Sequence, residues 1–385
     1  MLDVSVTREN HVRRFGAEPL MFMAPGRVNL IGEHTDYSEG FVMPAAIDFA
    51  TLAAISPRSD NQIAIYSENF DEESVFDLDF LPHHRRHHWS DYPVGVLTVL
   101  REAGVETTGF NLTLCGDVPL GSGLSSSASV EVATALAILG VHAQGRRFSP
   151  PEVARLCQQA ENYFVGTQSG IMDQFVSCCG ADGQALLLDC RDLSYRLAPI
   201  PPNLSLVIFN TMVKHSHVGG EYNTRRGEIE AGTQIVRMHR PEVSFLRDVT
   251  VADLERWGDE MLPEVLKRCR HVVTENLRTV AAADALERND LKRLGHLMAE
   301  SHASYRDDFE ASCKEADIVV ELASREAACA GARLTGGGFG GCTVNLVEAS
   351  EADAFARKLL KEYLAATGIA AEVYHCHAAA GARQI

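Results

Sequence analysis

Four stretches of this chain gather side chains and glycines in patterns that could do chemistry. The first is Pro119-Leu120-Gly121-Ser122-Gly123-Leu124-Ser125-Ser126-Ser127-Ala128-Ser129. Glycines let a ligand approach the backbone closely, a helix start offers unpaired N–H groups to an anion, and serine hydroxyls add donors and a possible Mg²⁺ ligand. No lysine follows the glycines, so this is not a Walker A loop. The second stretch is Gly336-Gly337-Gly338-Phe339-Gly340-Gly341. It formally matches GxGxxG, but a dinucleotide fingerprint needs a helix after it, and a strand pattern at 342–347 follows instead. Five glycines in six positions point to close approach by a ligand or another backbone, since a plain turn needs only one or two. The third, Gly26 to Tyr37, holds Arg27, Glu33, His34 and Asp36. It reads either as a salt-bridged surface loop or as a polar site. It is not an HExxH zinc motif, because Thr35 follows His34. The fourth, Gly170-Ile171-Met172-Asp173-Gln174, sets a carboxylate among apolar residues, where it must be paired or functional. A buried helix cap is the plainer reading.

These stretches need elements to hold them. Apolar and β-forming runs predict strands at 20–24, 41–47, 51–55, 62–66, 110–114, 185–188, 204–209, 342–347 and 372–375. The polar segment 26–40 reads as the loop between the first two. A buried helix is expected over 130–139. Another begins at Ser149-Pro150-Pro151-Glu152, which has the capping-box spacing, and runs to about 164. The chain from 221 to 329 reads as mostly helical, and a last helix as 351–365. Strands and helices mix in both halves, so the class is α+β. The 385 residues suggest two domains, divided as 1–180 and 181–385.

Composition narrows the function. With 35 Lys+Arg against 52 Asp+Glu the net charge is −17. That surface repels polyanions, so no nucleic-acid role is expected. A phosphate ligand is still compatible, because distant charge is screened over ~8 Å. The longest apolar run, near Val130–Val141, contains Glu131 and is too short to span a bilayer. Ten scattered cysteines without a CxxC pair read as reduced thiols. With no signal pattern at the start, the expected location is cytoplasmic. The cluster His83 to His88 reads as an exposed loop or helix edge whose charge varies with pH.

Taken together, the four stretches resemble the galactokinases of the GHMP small-molecule kinase superfamily, over about 20–376. Gly26–Asp36 is similar to their sugar-recognition signature, Pro119–Ser129 to the superfamily's phosphate loop, and Leu334–Cys342 to its C-terminal glycine motif. The resemblance implies two α/β domains with the active site in the cleft between them, acting on galactose and MgATP. Asp173 would be the base facing the anomeric hydroxyl, and Arg27 its neighbour on the transferring phosphoryl group. Glu33, His34, Thr35, Asp36, Gly170 and Tyr222 would hold the sugar. Gly121, Ser122, Gly123, Leu124, Ser125, Ser126 and Ser127 would wrap the ATP phosphates. Ser127 and Glu161 would bind Mg²⁺, and Ser67 would touch the adenosine.

Such chemistry suits these residue types, since phosphoryl transfer needs positioning and charge neutralisation more than covalent catalysis. Glu33 and Asp36 are the candidates for telling galactose from its epimers, because a site built to pair a hydroxyl leaves polar groups unpaired when that hydroxyl is misplaced. A kinase of a related sugar (N-acetylgalactosamine or arabinose) and a non-catalytic galactose/ATP sensor are the alternatives. The serine loop and Asp173, both present, argue against the sensor.

Overall fold

The computed structural model describes residues 2–142, 147–214 and 218–385. Its strands are β1 (Leu20–Ile31), β2 (Phe41–Pro57), β3 (Gln62–Ser67), β4 (Glu72–Asp77), β5 (Phe110–Gly116), β6 (Gln184–Asp189), β7 (Tyr195–Pro199), β8 (Leu204–Lys214), β9 (Cys329–Leu334), β10 (Gly340–Glu348), β11 (Glu372–Cys376) and β12 (Arg383–Gln384). The larger sheet runs β12-β1-β2-β5-β3-β4, with β6 paired to the start of β2 and β7 paired to β6. All of its pairings are antiparallel except β3 with β5. A smaller antiparallel sheet runs β11-β8-β10-β9.

The helix Ser126–Val141 is apolar nearly all round because it is enclosed. It lies against β1 and β2 and is covered by the helices Asp91–Glu102, Pro150–Gln159 and Met172–Cys179. Ser129 fastens its first turn to the sheet, donating to the Ala24 carbonyl at 2.8 Å and pairing with the Thr51 hydroxyl at 2.7 Å. A second core joins the two sheets. Val28 and Leu30 of β1 pack there with Leu206 and Ile208 of β8, Leu297 and Val344. The helices Val218–His239, Pro263–Glu287 and Leu291–Asp307 complete the C-terminal part.

Several sequence expectations change. The segment 26–31 is not loop but the end of β1, and only 32–40 turns, around a 3₁₀ turn at Asp36–Ser38. Arg27 and Asn29 fall on one face of the strand while Val28 and Leu30 fall on the other, a period-2 alternation hidden by the polar residue types. The expected strands 41–47 and 51–55 are one strand, β2. The helix begun at Pro150 is α-helical to Gln159 and continues as a π turn over Ala160–Val165, with the capping box in place: the Ser149 N–H donates to Glu152 at 2.7 Å. Helices Val4–Phe15 and Asp91–Glu102 were not expected, while the helix Met172–Cys179 carries Asp173 in its first turn, in keeping with the helix-cap reading. The first carries few apolar residues, and the second is interrupted by Pro93 and Gly95. No described helix is long and apolar enough to cross a membrane, and no disulfide occurs among the described residues.

Candidate active site

A cavity of about 520 Å³ opens where β1, the turn after it, the start of the helix Met172–Cys179, the helix Val218–His239 and the loop before β10 meet. Arg27 is delivered to it by an irregular stretch of β1, whose pairing register with β2 shifts between Pro25 and Arg27 and again between Asn29 and Ile31. Such bulges re-aim side chains. Arg27 grips Asp173 with both ends of its fork: Nε donates to Oδ1 at 2.7 Å and Nη2 to Oδ2 at 2.8 Å. This is the geometry of a strong charge-assisted pair. Its Nη1 donates to the Gly123 carbonyl, and its backbone N–H to the Leu124 carbonyl at 3.0 Å. Ser125 donates its hydroxyl to Asp173 as well. The Arg27 side chain is 6% exposed and that of Asp173 26%, so the carboxylate is the part of the pair that faces the cavity.

Four carboxylates and two guanidinium groups line the cavity, among them Glu33, Asp36 and Glu161. Glu33 is buried. Its Oε1 accepts from Arg333 Nη1 and from the Gly336 N–H, each at 2.9 Å. Burial pushes its carboxyl up, against the opposing pull of Arg333, Arg27 and the Gly336 amide. Asp36 accepts from the Tyr37 N–H at 3.0 Å. Burial, and then the charge of Asp173, push its carboxyl up to about 6. His34 is held neutral by burial, its pKa lowered to about 3. Its Nδ1 pairs with the Tyr37 hydroxyl at 2.9 Å and its Nε2 lies 3.2 Å from the Gly337 carbonyl. Tyr222 also lines the cavity, with its ring 5.0 Å from that of His34. Gly170 lines it too. A Cβ there would sit 1.8 Å from Asp36 Oδ2, so only glycine allows this approach. Thr35 is different. It does not line the cavity, and its hydroxyl bonds the Gly32 and Phe41 carbonyls at 3.1 and 2.6 Å, which fastens the turn.

A second, more apolar cavity of about 210 Å³ lies beside the serine loop. Ser67, Ser126 and Ser127 line it, with Phe70 and Trp89 stacked at 6.1 Å between ring centroids. Gly121, Gly123 and Ser125 all have positive φ, and the helix Ser126–Val141 starts directly after them. Ser122 turns its hydroxyl back to the Pro119 carbonyl at 2.7 Å, and the Leu124 side chain is core. The C-terminal glycine stretch packs on this loop. Cβ atoms on Gly336 and Gly341, both at positive φ, would lie 3.2 Å from the Gly123 carbonyl and 3.3 Å from the Ser122 carbonyl. The glycines therefore serve close approach by another backbone, while Gly336 and Gly337 also line the larger cavity.

The residues expected for Mg²⁺ meet at the junction of the two cavities. Glu161 rides on the π turn, a feature frequent at functional sites. It accepts from Ser169 at 2.8 Å and shares the Gln174 amide with Glu131, at 2.7 and 2.9 Å, and the Ser127 side chain is among the groups that lower its pKa. Burial, with the charge of Asp173, pushes its carboxyl up. Glu131 Oε1 is buried with no partner. A hydroxyl and a carboxylate are hard oxygen donors, and Asp173 and Glu131 set further carboxylates against Glu161, so the donor set fits Mg²⁺. No cluster of three or more His, Cys, Asp or Glu ligands occurs among the described residues. Phosphates and water would therefore complete the shell, as is usual for this ion. Sequence reasoning missed Arg333, Gln174 and Glu131. Arg333 stands as a lone charge in the apolar run before the glycines, which is the one signal that could have flagged it.

The chain matches known proteins along its whole length. Residues 9–57 match the galactokinase galactose-binding signature, 91–181 the GHMP kinases N terminal domain and 282–366 the GHMP kinases C terminal model. The galactokinase of Chloroflexus aggregans (strain MD-66 / DSM 9485) is 44% identical, across 99% of this chain and 97% of that protein. That of Roseiflexus sp. (strain RS-1) is 43% identical, across 100% and 98%. The crystal structure of Lactococcus lactis galactokinase complexed with galactose superposes with a TM-score of 0.95 at 34% identity, covering 99% of this chain and 100% of that one. Methanococcus jannaschii mevalonate kinase, at 19% identity, a TM-score of 0.63 and coverage of 94% and 99%, shares the fold. With an Arg–Asp pair facing one cavity, a serine loop beside another and these relatives along its whole length, the chain belongs to the galactokinase family of the GHMP kinases.

Proposed function

We propose that the chain moves the terminal phosphoryl group of ATP to the C1 hydroxyl of galactose, with Asp173 taking the proton and Arg27 steadying the phosphoryl group. The observation that carries this reading is the Arg27–Asp173 fork, whose carboxylate faces the larger cavity beside the serine loop. Galactose would lie among Glu33, His34, Asp36, Gly170 and Tyr222. Adenosine would occupy the apolar cavity near Ser67 and the Phe70–Trp89 stack. The phosphates would then cross between the cavities over Gly121–Ser127, against the N–H groups at the start of the helix Ser126–Val141. In the step itself the C1 oxygen forms its bond to phosphorus, the bond from phosphorus to the ADP oxygen breaks, and the hydroxyl proton passes to Asp173. A sugar hydroxyl is a weak acid, so the proton moves as the new bond forms. Ser127 and Glu161 would hold Mg²⁺, and the ion would supply charge neutralisation at the phosphates. Since β6 and β7 pair with the larger sheet, we set the boundary between the two units after Pro199 rather than at 180. The thiols without disulfides suit a cytoplasmic enzyme.

The reading is tested by ADP release with MgATP and a panel of galactose, N-acetylgalactosamine, arabinose and glucose. Turnover is expected with galactose first. No release with any sugar would favour a sensor, and preference for another sugar would reassign the substrate.

Two further results are expected on the sugar side. Asp36, raised to about 6, accepts hydrogen bonds best when ionised. As pH falls through 6 it gains a proton, so galactose affinity measured without nucleotide should fall over that window. Asp36→Asn should flatten the profile, and a flat wild-type profile would remove Asp36 from direct pairing. Gly170→Ala should force the Asp36 carboxylate aside and raise the galactose KM by roughly tenfold or more, the scale of one lost charge-assisted hydrogen bond. Steady-state kinetics with MgATP held saturating reads this out.

A further inference from the structure

We infer that Arg85 is a further contact for the terminal phosphate of ATP, reaching it from the loop between β4 and the helix Asp91–Glu102. This rests on the kinase reading above and adds a residue that the family resemblance did not supply. The loop around Arg85 is anchored on its C-terminal side. The Arg86 N–H donates to Asp91 at 2.8 Å, its Nη2 donates to Ser90 at 2.6 Å, and its guanidinium lies 4.6 Å over the Phe76 ring. His88 and Trp89 both pair with Glu72, each at 2.9 Å. Between these fixed points Arg85 is exposed, and among the described residues it has no hydrogen bond or ion pair.

Its direction is what gives it meaning. Arg85 lines the larger cavity together with Glu161 and Gly166, and its Nη1 lies 4.0 Å from where a Gly166 Cβ would stand. Tyr92, which lines the apolar cavity, has both Glu161 and Arg85 among the charges acting on its phenol. Arg85 therefore stands at the seam of the two cavities, where the phosphates must cross. The other guanidinium there, Arg27, already holds both oxygens of Asp173 and the Gly123 carbonyl, which leaves it fewer donors for the phosphate. A transferring phosphoryl group spreads negative charge over three oxygens, and it arrives in a cavity lined by four carboxylates. An unpaired planar fork at this point matches that need.

The test uses Arg85→Ala and Arg85→Lys in the full chain, with wild type alongside. For Arg85→Ala, kcat/KM for MgATP should fall about tenfold or more. Galactose affinity without nucleotide, ADP inhibition and melting temperature should stay near wild type, because ADP lacks the terminal phosphate and the side chain is exposed. Arg85→Lys should recover part of the loss. Kinetics for Arg85→Ala within twofold of wild type would overturn the assignment, as would an equal weakening of ADP or of galactose. A wild type that releases no ADP with any sugar would overturn the kinase reading and this assignment together, so the two failures are distinguishable.

Discussion

Replacing Asp173 by Asn is expected to cut turnover by at least ~10²–10⁴-fold, the usual worth of a positioned base, while galactose affinity stays within about a few-fold. The amide keeps the shape of the carboxylate and still offers Oδ1 to Arg27 Nε. It loses the negative charge, cannot take the proton, and presents N–H groups where Arg27 Nη2 and Ser125 donate now. The ground-state sugar pocket, formed by Glu33, His34, Asp36 and Tyr222, is left in place. Calorimetry for sugar binding and ADP release for turnover separate these effects. Near-wild-type turnover would be incompatible with Asp173 as the base.

Arg333→Met should produce the largest loss of stability. Arg333 is fully buried, Glu33 nearly so, and they pair at 2.9 Å across 300 residues of sequence. Arg333 Nε and Nη2 have no acceptor, and the guanidinium lies 5.9 Å from the Tyr305 ring. Such a pair is not in itself a large source of stability. Breaking it is costly, because Glu33 would be left buried without its cation, at about 3–5 kcal/mol and a drop in melting temperature on the order of 5–10 °C. Galactose affinity should fall with it, since Arg333 and the Gly336 amide fix one Glu33 oxygen while the rest of the carboxylate faces the cavity. Combining Arg333→Met with Glu33→Gln should recover much of the stability and none of the sugar affinity. If the double variant melts no higher than Arg333→Met alone, the uncompensated charge is not the cause.

How much of this was legible in the sequence differs residue by residue. Asp173, Arg27 and the serine loop announced themselves through local composition, and the chain brings them together as a fork with a third grip on Gly123. The glycine stretch before β10 was legible as a place of close approach, but its partner was not. Its neighbours on the serine loop, Ser122 and Gly123, lie more than two hundred positions away. The end of β1 was misread because Arg27 and Asn29 look like loop residues. They sit in a strand whose one face is core, with Arg27 aimed at the site and Asn29 buried behind it. Thr35 was grouped with the sugar ligands by its place in the signature, yet its hydroxyl is consumed by the backbone of its own turn. Glu33 and Glu161 were legible as site residues, but their pairings with Arg333 and with Gln174 and Glu131 were not. Each is a tertiary contact between segments whose local patterns say only strand or helix.

The most direct measurement is a crystal structure of the full chain with galactose and an unreactive ATP analogue bound together. The account predicts the Asp173 carboxylate within hydrogen-bond distance of the C1 hydroxyl, with the terminal phosphate facing that same oxygen and Arg27 beside it. A different sugar hydroxyl in that place, or a carboxylate turned away from the carbohydrate, would contradict it.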